Sequence, residues 1–170
     1  MMILSSAYFQ KPATELAIDL LGKWLCCRTE CGVERRRITE TECYFGEEDT
    51  ACHAHKGRTA RTDTLYLAGG VAYVYLCYGI HSLLNIVTGE QDHPEAVLIR
   101  GVEGALGPGR VTKAMGITTA QNRIPLCPQF GIWIEDDGTP APPYQSLPRV
   151  GIDYAAPADR DRPWRYIAKL

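Results

Sequence analysis

Residues 71–88 read VAYVYLCYGIHSLLNIVT. Two runs rich in β-branched and aromatic residues, VAYVYLC and SLLNIVT, flank the connection Tyr78-Gly79-Ile80-His81. A glycine-bearing connection of this length between two strand-like runs predicts a β-hairpin, so the sheet around it is expected to be mainly antiparallel. By the period of two, Tyr73 and Tyr75 share one face, while Tyr78 stands at the turn where the chain leaves the sheet. An exposed aromatic there has two readings. It is a lid packed on a neighbouring loop, or a wedge of the kind that unstacks a base step.

Working outward, KWLCCRTE (23–30) and ERRRITETECYF (34–45) predict a second hairpin around Cys31-Gly32, its second strand running into Glu42 and Tyr44. AVLIRGV (96–102) reads as a buried strand. KPATELAIDLLG places Leu16, Ile18, Leu20 and Leu21 at near-helical spacing and predicts a helix over 12–21, with Pro12 in the first turn and Gly22 as the stop. GPGRVTKAMGI predicts a helix from Pro108 to Met115, ended by Gly116, with Arg110 and Lys113 on one face. The aperiodic segment 46–64 reads as a loop with a short helix at 48–54 started by an acidic first turn. TPAPPYQSLP (139–148) reads as a proline-rich loop. Strands outnumber helices, so the expected class is α+β: a single domain over residues 1–170 with a curved, mainly antiparallel sheet, flanking helices and a protruding β-hairpin.

Composition narrows the function. Hydrophobic residues at 45% and charged residues at 22% are ordinary for a globular chain. No apolar run approaches the ~20 residues that span a bilayer, and the first residues lack the pattern of a signal peptide. A cytoplasmic location without membrane contact is expected. Seven cysteines, an odd number at irregular spacings, read as reduced thiols. The formal charge of −2 does not suggest a nucleic-acid binder, yet the basic residues are unevenly placed. Arg100, Arg110, Lys113 and Arg123 face Glu103 alone over 96–125, and Lys56, Arg58 and Arg61 face Asp63 alone over 50–88. Salt screens beyond about 10 Å, so such a local field can hold a polyanion whatever the total charge.

The stretch ITETECYFGEEDTACHAHKG (38–57) invites a metal site built from Cys43, Cys52, His53 and His55. Cys-His-x-His lacks the second spaced pair that zinc usually takes; no metal and no cofactor is expected. The phosphate-cradling, dinucleotide and nucleophile-elbow motifs are absent too. If Tyr44, Tyr75 and one histidine of 52–55 converge, their rings form a sandwich for a planar group. Glu40 and Glu42 share a strand face by alternation, so periodicity does not choose between them.

Taken in order, ETECY, EED-x-x-CH, YVYLCYG followed five residues on by Asn85, VLIRG-x-E and GPGRVTKAMGI resemble the alkyladenine (3-methyladenine) DNA glycosylases. The resemblance runs from LLGKWL (20–25) to PRVGIDYA and the terminal WRYI. It implies a metal-free, monofunctional enzyme acting on double-stranded DNA that contains damaged purines, with a monomer as the default state. It also implies roles: Glu42 as the carboxylate that activates water, Arg100 beside the water and DNA backbone, and Tyr44, His53 and Tyr75 as base-stacking rings. Tyr78 matches the intercalating aromatic, Asn85 the asparagine that rejects normal guanine, and Arg110 and Lys113 are expected to contact phosphates. Cys43, Thr62, Gly101 and the WRYI ending depart from the usual pattern. Two rival readings stay open: a non-catalytic binder of distorted nucleic acid, and a Cys/His metallohydrolase.

Overall fold

The hairpin forms, with a tighter turn than its sequence suggests. In the computed structural model, which describes residues 1–170, Cys77 pairs with His81 and leaves a three-residue connection, Tyr78 to Ile80, where four were expected. The Ile80 amide donates to the Cys77 carbonyl at 3.1 Å. Tyr78 (φ 52°) and Gly79 (φ 67°) are both left-handed. That is the geometry whose twist matches the flanking strands. Glycine adopts it freely, whereas a bulky aromatic in this region carries strain of about 1–3 kcal/mol.

In chain order the elements are β1 (Met2–Ile3), α1 (Ala13–Asp19), β2 (Trp24–Thr29), β3 (Gly32–Phe45), β4 (Ala72–Cys77), β5 (His81–Val87), β6 (Glu95–Val102), β7 (Ala105–Leu106), α2 (Pro108–Met115), β8 (Ile132–Asp136), β9 (Tyr144–Leu147), α3 (Pro157–Arg160) and β10 (Arg165–Ala168). Every strand pairing is antiparallel, in the order β1-β8-β2-β3-β6-β5-β4, with β10 added to β3, β9 to β10 and β7 to β6. The fold is α+β with an open sheet.

The long strand β3 is the hub. Its first half, Gly32–Arg37, pairs with β2; its second half pairs with β6 from Ile38 to Phe45 and with β10 from Glu40 to Glu42. The β3–β6 ladder breaks twice. Partners step from Ile38–Val102 to Glu40–Gly101, leaving Thr39 out, and then to Thr41–Ile99, leaving Arg100 out. Such bulges bend a strand and re-aim the extra side chain. Arg100 is thereby turned toward the carboxylates of β3.

α1 lies across β3 and β6 and buries Leu16 and Ala17, with Leu20 just beyond its end. Phe9, Leu84, Ile86 and Ile99 complete that core with no exposure. The helix is shorter than the expected 12–21, because Pro12 is extended (ψ 147°) and serves as the cap. α2 covers Pro108 to Met115 as expected, closed by a left-handed Gly116. The short helix expected at 48–54 does not form. The Asp49 carboxylate instead accepts hydrogen bonds from the amides of Phe45 and Ala51, a local competitor of helix formation, and one 3-10 turn follows at His53–Lys56. The proline-rich loop is not all loop, since Tyr144–Leu147 pairs with β10 once tertiary structure supplies a partner.

Gly69 marks the tightest approach of the β4 side to the N-terminal segment: a methyl group there would land on the Phe9 carbonyl oxygen and within 3.0 Å of the Gly89 amide nitrogen. Overpacking against backbone cannot relax by rotation. Gly69→Ala is expected to lower stability by about 1–3 kcal/mol, read as a lower urea midpoint at unchanged slope.

Candidate active site

A cavity of about 480 Å³ opens between the β4–β5 hairpin, β6, the 3-10 turn at 53–56 and the segment 150–154, within the usual ~300–1,000 Å³ of small-molecule sites. Rings form much of its wall. Tyr73 and Tyr75, on one face of β4, stand 5.2 Å apart between centroids, and His53 meets the Tyr75 ring edge-on at 4.6 Å. His53 Nδ1 lies 3.1 Å from the Tyr73 hydroxyl, which fixes its ring. Burial, with a smaller contribution from the Arg61 cation, pulls the His53 pKa down to about 4. The imidazole is neutral at pH 7. Asn85 donates Nδ2 to the Tyr73 carbonyl at 3.2 Å; its Oδ1 receives no hydrogen bond from the chain.

Glu42 lies behind this wall with no solvent exposure. Its Oε1 accepts a hydrogen bond from the Tyr44 hydroxyl at 3.0 Å, and its Oε2 accepts one from the Val150 amide at 2.6 Å. Nη1 of Arg100 stands 3.6 Å from Oε1, an ion pair beyond direct hydrogen-bond reach. Burial raises the Glu42 pKa above its ordinary value; the Arg100 charge and the two hydrogen bonds oppose that shift without reversing it. Tyr44, Arg100 and Val150 all line the cavity, so a single layer of groups separates the carboxylate from it. Glu40, its sequence competitor, meets the same guanidinium from the other side: it accepts from Arg100 Nε at 3.3 Å and from Arg165 Nη1 at 3.1 Å.

The clamp that brings Val150 to Glu42 has no counterpart in the sequence reading. Arg149 is fully buried and donates to Asp49 through both terminal nitrogens at 2.6 and 2.9 Å, and to the Cys43 and Asp159 carbonyls. Its guanidinium lies 4.9 Å from the Tyr44 centroid and 5.0 Å from that of Trp164. Loop 46–51 and the segment after β9 are thus pinned to β3 around one cation. The signals were present as EED and PRVGIDYA, but a buried ion pair between positions a hundred residues apart leaves no periodic trace.

The family model for methylpurine-DNA glycosylase (MPG) matches residues 7–106 and 103–170. The chain belongs to this family. A relative from Psychrobacter cryohalolentis is 41% identical over 97% of this chain and 91% of its own length, and one from Methanocella arvoryzae is 40% identical over 99% and 94%. A third, from Myxococcus xanthus, is 44% identical over 89% and 83%. All three carry the name "Putative 3-methyladenine DNA glycosylase". The protein is therefore a DNA glycosylase, a hydrolase of N-glycosidic bonds whose substrate is DNA.

In this glycosylase Tyr44, His53, Tyr75, Tyr78, Asn85 and Arg100 line the one cavity. Tyr78 also projects from the hairpin tip, 90% exposed. Arg110 and Lys113 lie outside it on exposed positions of α2, whose first residue, Pro108, reaches the rim; neither enters an ion pair. Tyr73, Arg61 and Tyr154 join the wall without having been singled out as ligands. The four groups of the metallohydrolase reading are dispersed. Cys43 is in the main core, Cys52 belongs to a smaller cluster and lines the cavity beside His53, and His55 is exposed with Nδ1 2.9 Å from the Glu47 carbonyl oxygen. No set of three or more His, Cys, Asp or Glu side chains is arranged to hold a metal ion. No helix is long and apolar enough to cross a membrane.

Removing one partner of a buried ion pair leaves the other charge uncompensated. Arg149→Ala is expected to cost about 3–5 kcal/mol in urea unfolding and to depress base release further than that loss of folded protein accounts for, since Val150 is no longer held on Glu42.

Proposed function

We propose that this glycosylase rotates alkylated purines out of duplex DNA into the ring-walled cavity and hydrolyses the N-glycosidic bond in one step, leaving an abasic sugar without cutting the strand. The observation that carries the reading is a buried carboxylate, Glu42, held by Tyr44 and Val150 one layer behind a cavity whose rim bears the exposed Tyr78. The relatives' name points to 3-methyladenine as the lesion class.

Extruding a base costs a few kcal/mol, less when it is damaged or mispaired. Tyr78, exposed at the hairpin tip, would fill the vacated stack. N3- and N7-alkylated purines are cations, favoured by about 0.5–2 kcal/mol for each aromatic face they meet. A charged imidazole would cancel part of that gain, and the low pKa of His53 keeps the ring neutral. Asn85 Oδ1 offers an acceptor to the base edge and would oppose a purine that presents its own acceptor there.

As the cationic base departs, the sugar develops oxocarbenium character that a carboxylate can stabilise while it takes a proton from water attacking the opposite face. Each Glu42 oxygen accepts one hydrogen bond from the chain and has capacity for another. We place that water beside Oε1 and Arg100, within hydrogen-bond reach of both, once the bound nucleotide has parted the wall. Raised basicity suits Glu42 to the task, and the leaving group, already positive, requires no acid. The tyrosine hydroxyls of the cavity titrate far above neutrality and His53 far below it, so no ready proton donor serves neutral lesions. Arg110 and Lys113 would hold flanking phosphates.

On DNA carrying 3-methyladenine, Glu42→Gln is expected to retain binding and lose base release by about 10²–10⁴-fold; release at the unmodified rate would move the chemistry elsewhere. In the unaltered enzyme the rate rises with pH as Glu42 deprotonates, so the acid limb should lie above the ordinary 4.5. A limb at or below that value contradicts a buried base. Tyr78→Ala should lower activity on fully paired duplex more than on a mismatched lesion; equal losses on both would assign Tyr78 to packing.

A further inference from the structure

The carboxylate at position 40 lies two residues from Glu42 and does not reach the cavity. Its partners are nonetheless unusual. Oε1 of Glu40 receives Nε of Arg100 at 3.3 Å and Nη1 of Arg165 at 3.1 Å, and Arg165 also donates Nε to the Pro148 carbonyl at 2.9 Å. Arg100 and Glu40 are half-buried, with side chains 15% and 13% exposed, so the pair is weakly screened. Arg100 stands at the bulge of β6, free of ladder pairing, and its guanidinium has two carboxylates within range. It lies nearer to Glu40, and only Glu40 is within hydrogen-bonding distance.

From this we infer that Glu40 is a positioning residue: it draws the Arg100 guanidinium off Glu42, so that the base keeps a free acceptor site and its proton affinity. The inference rests on the reading of Glu42 as the base. Arginine forks bind carboxylates through two parallel hydrogen bonds when nothing competes. A guanidinium forked onto Glu42 would occupy the acceptor sites that water needs and would stabilise the ionised form, making a weaker base. The Glu40 negative charge acts in the same direction. Glu40 is in turn kept in place by Arg165 of β10, whose Pro148 contact ties it to the segment that delivers the Val150 amide.

The groups facing Glu42 are few. They are Tyr44 from its own strand, Arg100 from β6, and Arg149, the Val150 amide and Tyr154 from the segment after β9. Arg165, opposite Glu42 in the β10 register, sends its guanidinium to Glu40 and Pro148. Arg149 is committed to Asp49 through both terminal nitrogens, which leaves Arg100 as the cation that Glu40 and Glu42 compete for. Removing Glu40 therefore shifts positive charge toward Glu42, holds it ionised to lower pH and lowers its basicity.

The test is the pH profile of base release under single-turnover conditions, with DNA affinity measured separately. For Glu40→Gln we expect a fall in the plateau rate of about tenfold, below the ~10²–10⁴ that a positioned base supplies. The acid limb should move to lower pH, with DNA affinity unchanged. If that variant does not fold, Glu40→Asp is read in the same way, since the shorter side chain cannot span both guanidinium groups. An acid limb that stays in place in the folded variant, or a loss confined to DNA affinity, overturns the inference. Glu42→Gln separates the two readings. If it keeps full activity, the assignment of the base fails; if it is inactive while Glu40→Gln leaves the profile unmoved, only the role of Glu40 fails.

Discussion

A carboxylate with no exposure, near the end of the longest strand of the sheet, is the constraint around which this structure is arranged. Burying a charge costs several kcal/mol even after relaxation, unless hydrogen bonds and opposite charge replace the lost water. Glu42 obtains them from three directions: a hydroxyl two residues along its strand, a backbone amide from the segment after β9, and a guanidinium across a bulge in β6. Each depends on a separate tertiary feature. Together they account for the length of β3 beyond its pairing with β2 and for the loss of ladder regularity where it meets β6.

The second charge is as tightly constrained as the first. Arg149 is buried against Asp49, two backbone carbonyls and the faces of Tyr44 and Trp164. It joins the loop after β3, the segment after β9 and the strand itself, so the ring that walls the cavity and the amide that holds Glu42 are set by one guanidinium. A planar, always-charged group with donors in several directions suits that position in a way an ammonium does not. Arg100 and Arg165 are shared between Glu40, Glu42 and the Pro148 carbonyl, and burial, opposed by the Arg100 charge, is what raises the Glu42 pKa.

The two sides of the cavity differ in character. The Glu42 side is polar and braced from behind. The hairpin side is aromatic and ends in the exposed residues Tyr78 and Ile80. A neutral His53, fixed by Tyr73, joins them and adds no charge of its own. A cationic planar ligand would find attraction from the ring faces on one side and a carboxylate on the other.

Much of this was legible in the chain. The hairpins, the buried β6, α2 and the α+β class follow from alternation, glycine placement and helical spacing, all local properties. Family membership was legible because motifs at Glu42, Tyr44, His53, Tyr75 and Asn85 keep their order and gaps. Local pattern failed where a distant partner decided the outcome. Asp49 turned a helix start into a capped loop, β10 made a strand of Tyr144–Leu147, and Glu40 and Glu42, which share a face of β3 as alternation has it and meet the same Arg100, were told apart only by burial and partners. Sequence by itself determined most of the strands, β9 excepted, and which residue types are available for chemistry, since those depend on neighbours a few positions away. Which carboxylate is buried, which arginine faces it and where the Val150 amide lands were decided by tertiary structure alone, because charge burial is settled by groups about a hundred residues apart in the chain.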